Sequence, residues 1–212
     1  MEDNSILFFY NPYKYLKSFD NVLHNVRIHY PTSDIDVYFD SFREDLQPYI
    51  EVAKNYKCNF NVRSNMLYYI HRNDPFEINQ SKILEWIERL RISCENSTAK
   101  WVLLLEDDVL IKRAIYTFPN SDCGTNRNDI GFTGGGSIFK REKFLESLFK
   151  CNLENTIESV HNASWAGDIL LKSIFLSNSC SYEKWVELAE PNYFDNIDHA
   201  VYHGYKDLHE LD

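Results

Sequence analysis

Through the first half of the chain, short apolar runs alternate with amphipathic stretches. Ser5-Ile-Leu-Phe-Phe-Tyr10 is a compact apolar run stopped by Asn11-Pro12, which predicts a buried strand. From Tyr13 to about Arg27, Leu16, Phe19, Leu23 and Val26 recur at helical spacing. Ile35-Asp-Val-Tyr-Phe39 predicts a second strand closed by Asp40-Ser41, and Phe42 to Asn55 a second helix with Leu46, Ile50 and Ala53 on one face. Asn59-Phe-Asn-Val62 alternates like a third strand. A helix is predicted from Ser81, as N-cap, to Cys94, with Ile83, Leu84, Ile87 and Leu90 facing a core. Lys100-Trp-Val-Leu-Leu-Leu105 is the most apolar run and the fourth strand.

Strand–helix alternation of this kind implies an α/β fold with a mostly parallel sheet covered on both faces. Ligands of such sheets bind beyond the carboxyl ends of the strands, so Asn11, Asp40, Arg63 and Glu106-Asp107-Asp108 hold the informative positions. The second half differs. It carries Gly131-Phe-Thr-Gly-Gly-Gly-Ser137, a predicted helix from about Lys140 to Lys150, Trp165-Ala-Gly-Asp168 opening another helix, and a His-rich end. With no linker between them, the halves 1–108 and 109–212 are expected to share one sheet and one core as a single domain.

The 212 residues are 44% hydrophobic and 25% charged, the balance of a globular chain. A formal charge of −10 leaves no footprint for polyanions, so nucleic acid is not an expected partner. A single nucleotide stays compatible if a divalent cation offsets the repulsion. Fourteen Tyr among 15% aromatics suit a carbohydrate or base surface, or a Tyr-rich core. Cys58, Cys94, Cys123, Cys151 and Cys180 form no CxxC pair, which argues for free thiols and a cytoplasmic setting. Met1-Glu-Asp-Asn4 lacks the basic start of a secretory leader, and no apolar run approaches the roughly 18 residues of a membrane span. Outside the secretory route, the Asn-x-Ser/Thr matches at Asn79, Asn96 and Asn162 carry no meaning.

Three acids directly after the most buried strand are costly unless a cation neutralises them. A hard divalent cation is the natural partner, with a solvated acidic turn as the alternative. Alternation along an extended chain would turn Glu106 and Asp108 one way, toward metal and sugar, and Asp107 the other, to anchor the loop. Gly134, Gly135 and Gly136 allow backbone to approach a ligand closely, or form a bulged turn. No Gly-Lys-Ser/Thr follows, so the run is not a P-loop. Asp168 opens an apolar helix beside Trp165, where a partly desolvated carboxylate can act as general base and the Trp face can stack on a pyranose. The alternative is a first-turn acid complementing the helix dipole.

Leu103-Leu-Leu-Glu-Asp-Asp-Val109 resembles the DxD motif of GT-A glycosyltransferases in its Glu-Asp-Asp variant. Phe8-Phe-Tyr-Asn-Pro12, Tyr38-Phe-Asp40, Asn61-Val-Arg-Ser-Asn65 through Arg72, Gly134-Gly-Gly-Ser-Ile-Phe139 and Trp165-Ala-Gly-Asp168 are similar to further segments of that family, in its order, over nearly the whole chain. The resemblance implies a GT-A fold. It also implies a nucleotide-diphosphate sugar as donor, with Mn²⁺ (or Mg²⁺) on Asp108. Asn11, Asp40, Arg63, Glu106 and Asp107 would lie on the donor side. Gly135, Gly136 and Trp165 would lie under the sugar and acceptor, with Asp168 as catalytic base. Members often complete the metal shell with a late His. Of His199 and His203, spaced i,i+4 on a helix face or an exposed tail, His199 is the expected ligand. Size and acidity also resemble a small glycosyltransferase domain of a large algal DNA virus, which would place the chain in host cytoplasm.

The implied reaction moves a hexose from a nucleotide-diphosphate donor, UDP-sugar by family frequency, to a glycan or glycoprotein hydroxyl with inversion. A metal-dependent nucleotidyl or phosphoryl transferase is one rival, but the Gly-rich run offers no Lys or Arg for a phosphate. A carbohydrate-binding module without activity is another, and it gives no reason for the acidic triplet. A glycosidase would need Asp168 as the second carboxylate.

Overall fold

The computed structural model describes residues 5–12, 15–40, 45–63, 73–126, 134–163, 166–189 and 199–204; for residues 40, 63, 163 and 166–168 it describes the backbone. Five of the elements form a doubly wound half: β1 (Ile6–Tyr10), α1 (Leu16–His29), β2 (Ile35–Asp40), α2 (Gln47–Asn55) and β3 (Asn59–Arg63). The long helix α3 (Phe76–Asn96) then crosses to β4 (Trp101–Leu105). The later elements are β5 (Val109–Ile111), β6 (Cys123–Thr125), β7 (Ile138–Lys140), α4 (Arg141–Lys150), α5 (Leu153–Ala163), α6 (Ala166–Leu176), β8 (Tyr182–Lys184), β9 (Leu188–Ala189) and β10 (Val201–His203).

The main sheet runs β3-β2-β1-β4-β7-β6-β8, so it takes strands from before and after residue 108. β1 to β4 are parallel, while β7 is antiparallel to both β4 and β6. The chain winds outward from β1 to β3, then returns past β1 to β4. The β1–β4 boundary is therefore the switch point, where the following loops diverge and leave a crevice. A second sheet, β5-β10-β9, stands beside the main one.

Both β1 and β4 are buried along all five residues, which explains their unbroken apolar runs. Their side chains divide between two cores. Ile6, Phe8, Trp101 and Leu103 join Phe19, Val22 and Val26 of α1 and the small sheet on one face. Leu7, Phe9, Val102 and Leu104 join Ile83, Ile87 and Leu90 of α3 and the helices α4 to α6 on the other. No described helix is long and apolar enough to cross a membrane.

Several sequence expectations shift. α3 begins at Phe76 behind Pro75, not at Ser81, because Pro75 is the non-helical N-cap (φ −52°, ψ 143°) and its carbonyl accepts from Ile78 and Asn79. Ser81 lies inside the helix, and Leu84 is 41% exposed rather than on the core face. Asn79 is fully buried, so its sequon cannot accept a glycan in the folded chain. α2 begins at Gln47, where Asp45 Oδ1 accepts from the Gln47 amide and Pro48 sits in the first turn. His203 ends a strand, not a helix. All five cysteines are free.

Candidate metal centre

β4 delivers Glu106, Asp107 and Asp108 to the switch-point crevice, but not in extended form. The Val109 amide donates to the Glu106 carbonyl at 3.1 Å, closing a turn over the three acids. The turn, rather than strand alternation, separates their directions. Asp107 points inward, 7% exposed, and its Oδ1 accepts from the Tyr10 hydroxyl at 2.7 Å. Tyr10 ends β1, so this bond ties the acidic turn to the neighbouring strand. Glu106 and Asp108 turn outward together.

A third group meets them from the far end of the chain. After the turn the chain becomes β5, which pairs antiparallel with β10 so that Val109 lies opposite His203. His203 Nε2 is 3.5 Å from Glu106 Oε2 and 3.7 Å from Asp108 Oδ1. One ligand-type atom from each of the three residues lies within 4.8 Å of the others. Donors sharing one small divalent ion at about 2.1 Å stand roughly 3–4 Å apart, so the spacing fits. Two carboxylates with one imidazole are a donor set that Mn²⁺ and Mg²⁺ accept. Burial raises the Asp108 carboxyl above its ordinary range; His203 opposes this, and the Glu106 carboxylate adds to it. A cation would relieve this crowding.

Gly135 leaves room for the Glu106 and His203 side chains. A Cβ there would stand 3.0 Å from Glu106 Cδ and from His203 Cδ2 and Nε2. Gly136 has φ +76°, and a Cβ on it would come within 2.8 Å of Leu188. The close approach shown by these glycines is therefore to the Glu106 and His203 side chains and the small sheet. Gly136 also pairs its amide with the Leu104 carbonyl, holding the glycine run against β4.

The other expected site residues are placed as follows. Asn11 is 7% exposed and donates from Nδ2 to the Tyr38 carbonyl at 3.3 Å, bridging the ends of β1 and β2. Asp40 and Arg63 end β2 and β3 and stand opposite each other in register, at the edge that carries the acids. Asp168 occupies the first turn of α6. Trp165 and Arg72 lie outside the described residues. His199 is not in the three-residue group; its Nδ1 lies 2.9 Å from the Val186 carbonyl oxygen. The signal for His203 was present in Ala200-Val-Tyr-His203, since β-branched and aromatic neighbours favour a strand over a helix.

No protein-family model matches the chain, and no curated protein matches it by sequence. Solved structures do match in fold. Glycosyltransferase GlyE of Streptococcus pneumoniae TIGR4 superposes with a TM-score of 0.51 at 13% identity, over 86% of this chain and 45% of that one. Its apo form gives 0.57 at 11% identity, over 95% and 54%. The galactosyltransferase LgtC, solved with donor and acceptor sugar analogues, gives 0.53 at 13% identity, over 93% and 86%. The chain thus spans about half the length of the GlyE chains. Its fold is the GT-A glycosyltransferase fold, as the Glu-Asp-Asp resemblance implied.

Proposed function

We propose that the chain is a metal-dependent glycosyltransferase that moves a hexose from a nucleotide-diphosphate donor, UDP-sugar foremost, to a hydroxyl of a glycan or glycoprotein. The observation that carries this reading is the convergence of Glu106, Asp108 and His203 at the switch point of a GT-A fold. Those three residues would hold Mn²⁺ or Mg²⁺, which when bound supplies positive charge for the departing diphosphate. Here His203 replaces His199 as the late histidine.

The chain's own residues divide the remaining work. Tyr10 and Asp107 fix the acidic turn, so Glu106 and Asp108 are held before the donor arrives. Asn11, Asp40 and Arg63, at the ends of β1, β2 and β3, are the nucleotide contacts in this reading. Gly135, Gly136 and Trp165 serve the sugar and acceptor side. Asp168 takes the proton of the acceptor hydroxyl. The acceptor oxygen then bonds to the anomeric carbon opposite the diphosphate as the carbon–oxygen bond to the diphosphate breaks, which inverts the centre. The five free thiols support a cytoplasmic setting.

The test is a thermal-shift panel of nucleoside diphosphates and their sugars with and without Mn²⁺, followed by the anomeric configuration of any product. A ligand at 100 times its Kd raises stability by about 2.7 kcal/mol. Asp168→Asn should keep donor affinity and lower turnover roughly 100-fold. Substantial turnover in that variant would move the base elsewhere. Glu190 and Asp195, outside the described residues, are the next candidates.

A further inference from the structure

Asn126 follows β6 and is 3% exposed, and its Oδ1 has no hydrogen-bond partner among the described residues. A buried carbonyl oxygen without a donor costs folding free energy, so its retention calls for a reason outside the fold. Its place in the sheet supplies one. β6 pairs with β7 through Cys123 opposite Phe139 and Gly124 opposite Ile138. Carried two residues further, that register would place Asn126 opposite Gly136, next to Gly135, where an added Cβ would meet Glu106 and His203. The sheet face agrees as well. A Cβ on Gly124 would meet Trp185 and Ile138, on the side of the small sheet. Alternation carried one residue past the end of β6 would return the Asn126 side chain to that side, where a Cβ on Gly136 would approach Val201 and His203.

We propose that Asn126 is a sugar-recognition residue of this site: its Oδ1 accepts a hydrogen bond from a saccharide hydroxyl reaching over the Gly134–Gly136 shelf. An amide suits this task. Its carbonyl needs a donor, and a sugar hydroxyl donates without bringing a charge into a crevice already crowded with carboxylates. The inference rests on the transferase reading and adds to it a contact specific for the sugar rather than for the nucleotide or the cation. The hydroxyl belongs to the donor's hexose or to the acceptor, and the two sources separate in the test.

The experiment is calorimetric titration of wild type and Asn126→Ala in Mn²⁺, with UDP and GDP alone, with UDP- and GDP-hexoses, and with methyl glycosides added to the nucleotide complex. Melting temperatures are recorded alongside. The expected result is unchanged nucleoside-diphosphate affinity, an unchanged or raised melting temperature, and a roughly tenfold or greater loss in one sugar arm. A loss with sugar nucleotides assigns the donor hexose, and a loss with methyl glycosides assigns the acceptor. Equal sugar affinities in both proteins would overturn the assignment. So would a fall of several degrees in melting temperature without loss in either sugar arm, which would mean an internal water is the partner. If neither nucleoside diphosphate binds wild type, the transferase reading fails, and this inference with it.

Discussion

Replacing Gly135 by Ala tests how tightly the candidate metal centre is packed. The added methyl would stand 3.0 Å from three atoms, Glu106 Cδ and His203 Cδ2 and Nε2. Ordinary carbon contacts settle near 3.5–4.0 Å, so these side chains must retreat by about 0.5 Å. Metal sites tolerate displacements of about 0.2 Å. The retreat would part groups whose nearest ligand atoms are now 3.5 Å apart. Displacing ligands by this route weakens metal affinity roughly 10- to 100-fold, about 1.4–2.8 kcal/mol. The fold should survive, because the displaced atoms are the far ends of side chains and not backbone. Gly136→Ala is the contrast. With φ +76° and Leu188 at 2.8 Å, it strains the chain itself and should lower stability by about 1–3 kcal/mol. Mn²⁺ titration followed by electron paramagnetic resonance reads the affinity, and urea unfolding reads the stability. Wild-type Mn²⁺ affinity in a folded Gly135→Ala protein would refute the packing argument.

Two further predictions concern stability. Tyr10→Phe removes the donor to buried Asp107 and should cost about 1.5–3 kcal/mol, visible as a lower urea midpoint with the same slope; an unchanged midpoint would mean the bond anchors nothing. Burial raises the Asp122 carboxyl, but bonds from Lys140 and from the Ser181 amide and hydroxyl outweigh it and hold the group below its ordinary range. A depressed folded-state value stabilises above the unfolded value of about 4 and is lost as pH falls through the folded value. The stability gap between wild type and Asp122→Asn should therefore be full at neutral pH and shrink in acid; a gap that widens in acid would contradict the sign.

The first half of the fold was legible because its strands are local units of the hydrophobic pattern. β1 and β4 announce themselves as unbroken runs, since both of their faces are covered. The errors there were at ends: Ser81 looked like a cap, while Pro75 and Phe76 start the helix. In the second half, α5 carries a stripe of Leu153, Ile157 and Val160 at helical spacing. The short strands β6, β8, β9 and β10 carry too few residues to show a period, and their pairing depends on partners far along the chain. The same reason limited the site. Glu106, Asp107 and Asp108 are contiguous and could be read together. His203 reaches them through a strand pairing across more than ninety positions, and Asn126 is notable for burial, which no local pattern reveals.

The central claim is that Glu106, Asp108 and His203 form the cation site of a sugar-transfer centre. It is tested most directly by incubating the protein with a panel of nucleotide sugars and measuring released nucleoside diphosphate in Mn²⁺ and in EDTA, for wild type, Asp108→Ala and His203→Ala. Release from at least one donor is expected in Mn²⁺ and is abolished by EDTA, with a roughly 100-fold or greater reduction in both folded variants. Release that persists in EDTA, or at wild-type rate in folded Asp108→Ala, would contradict it.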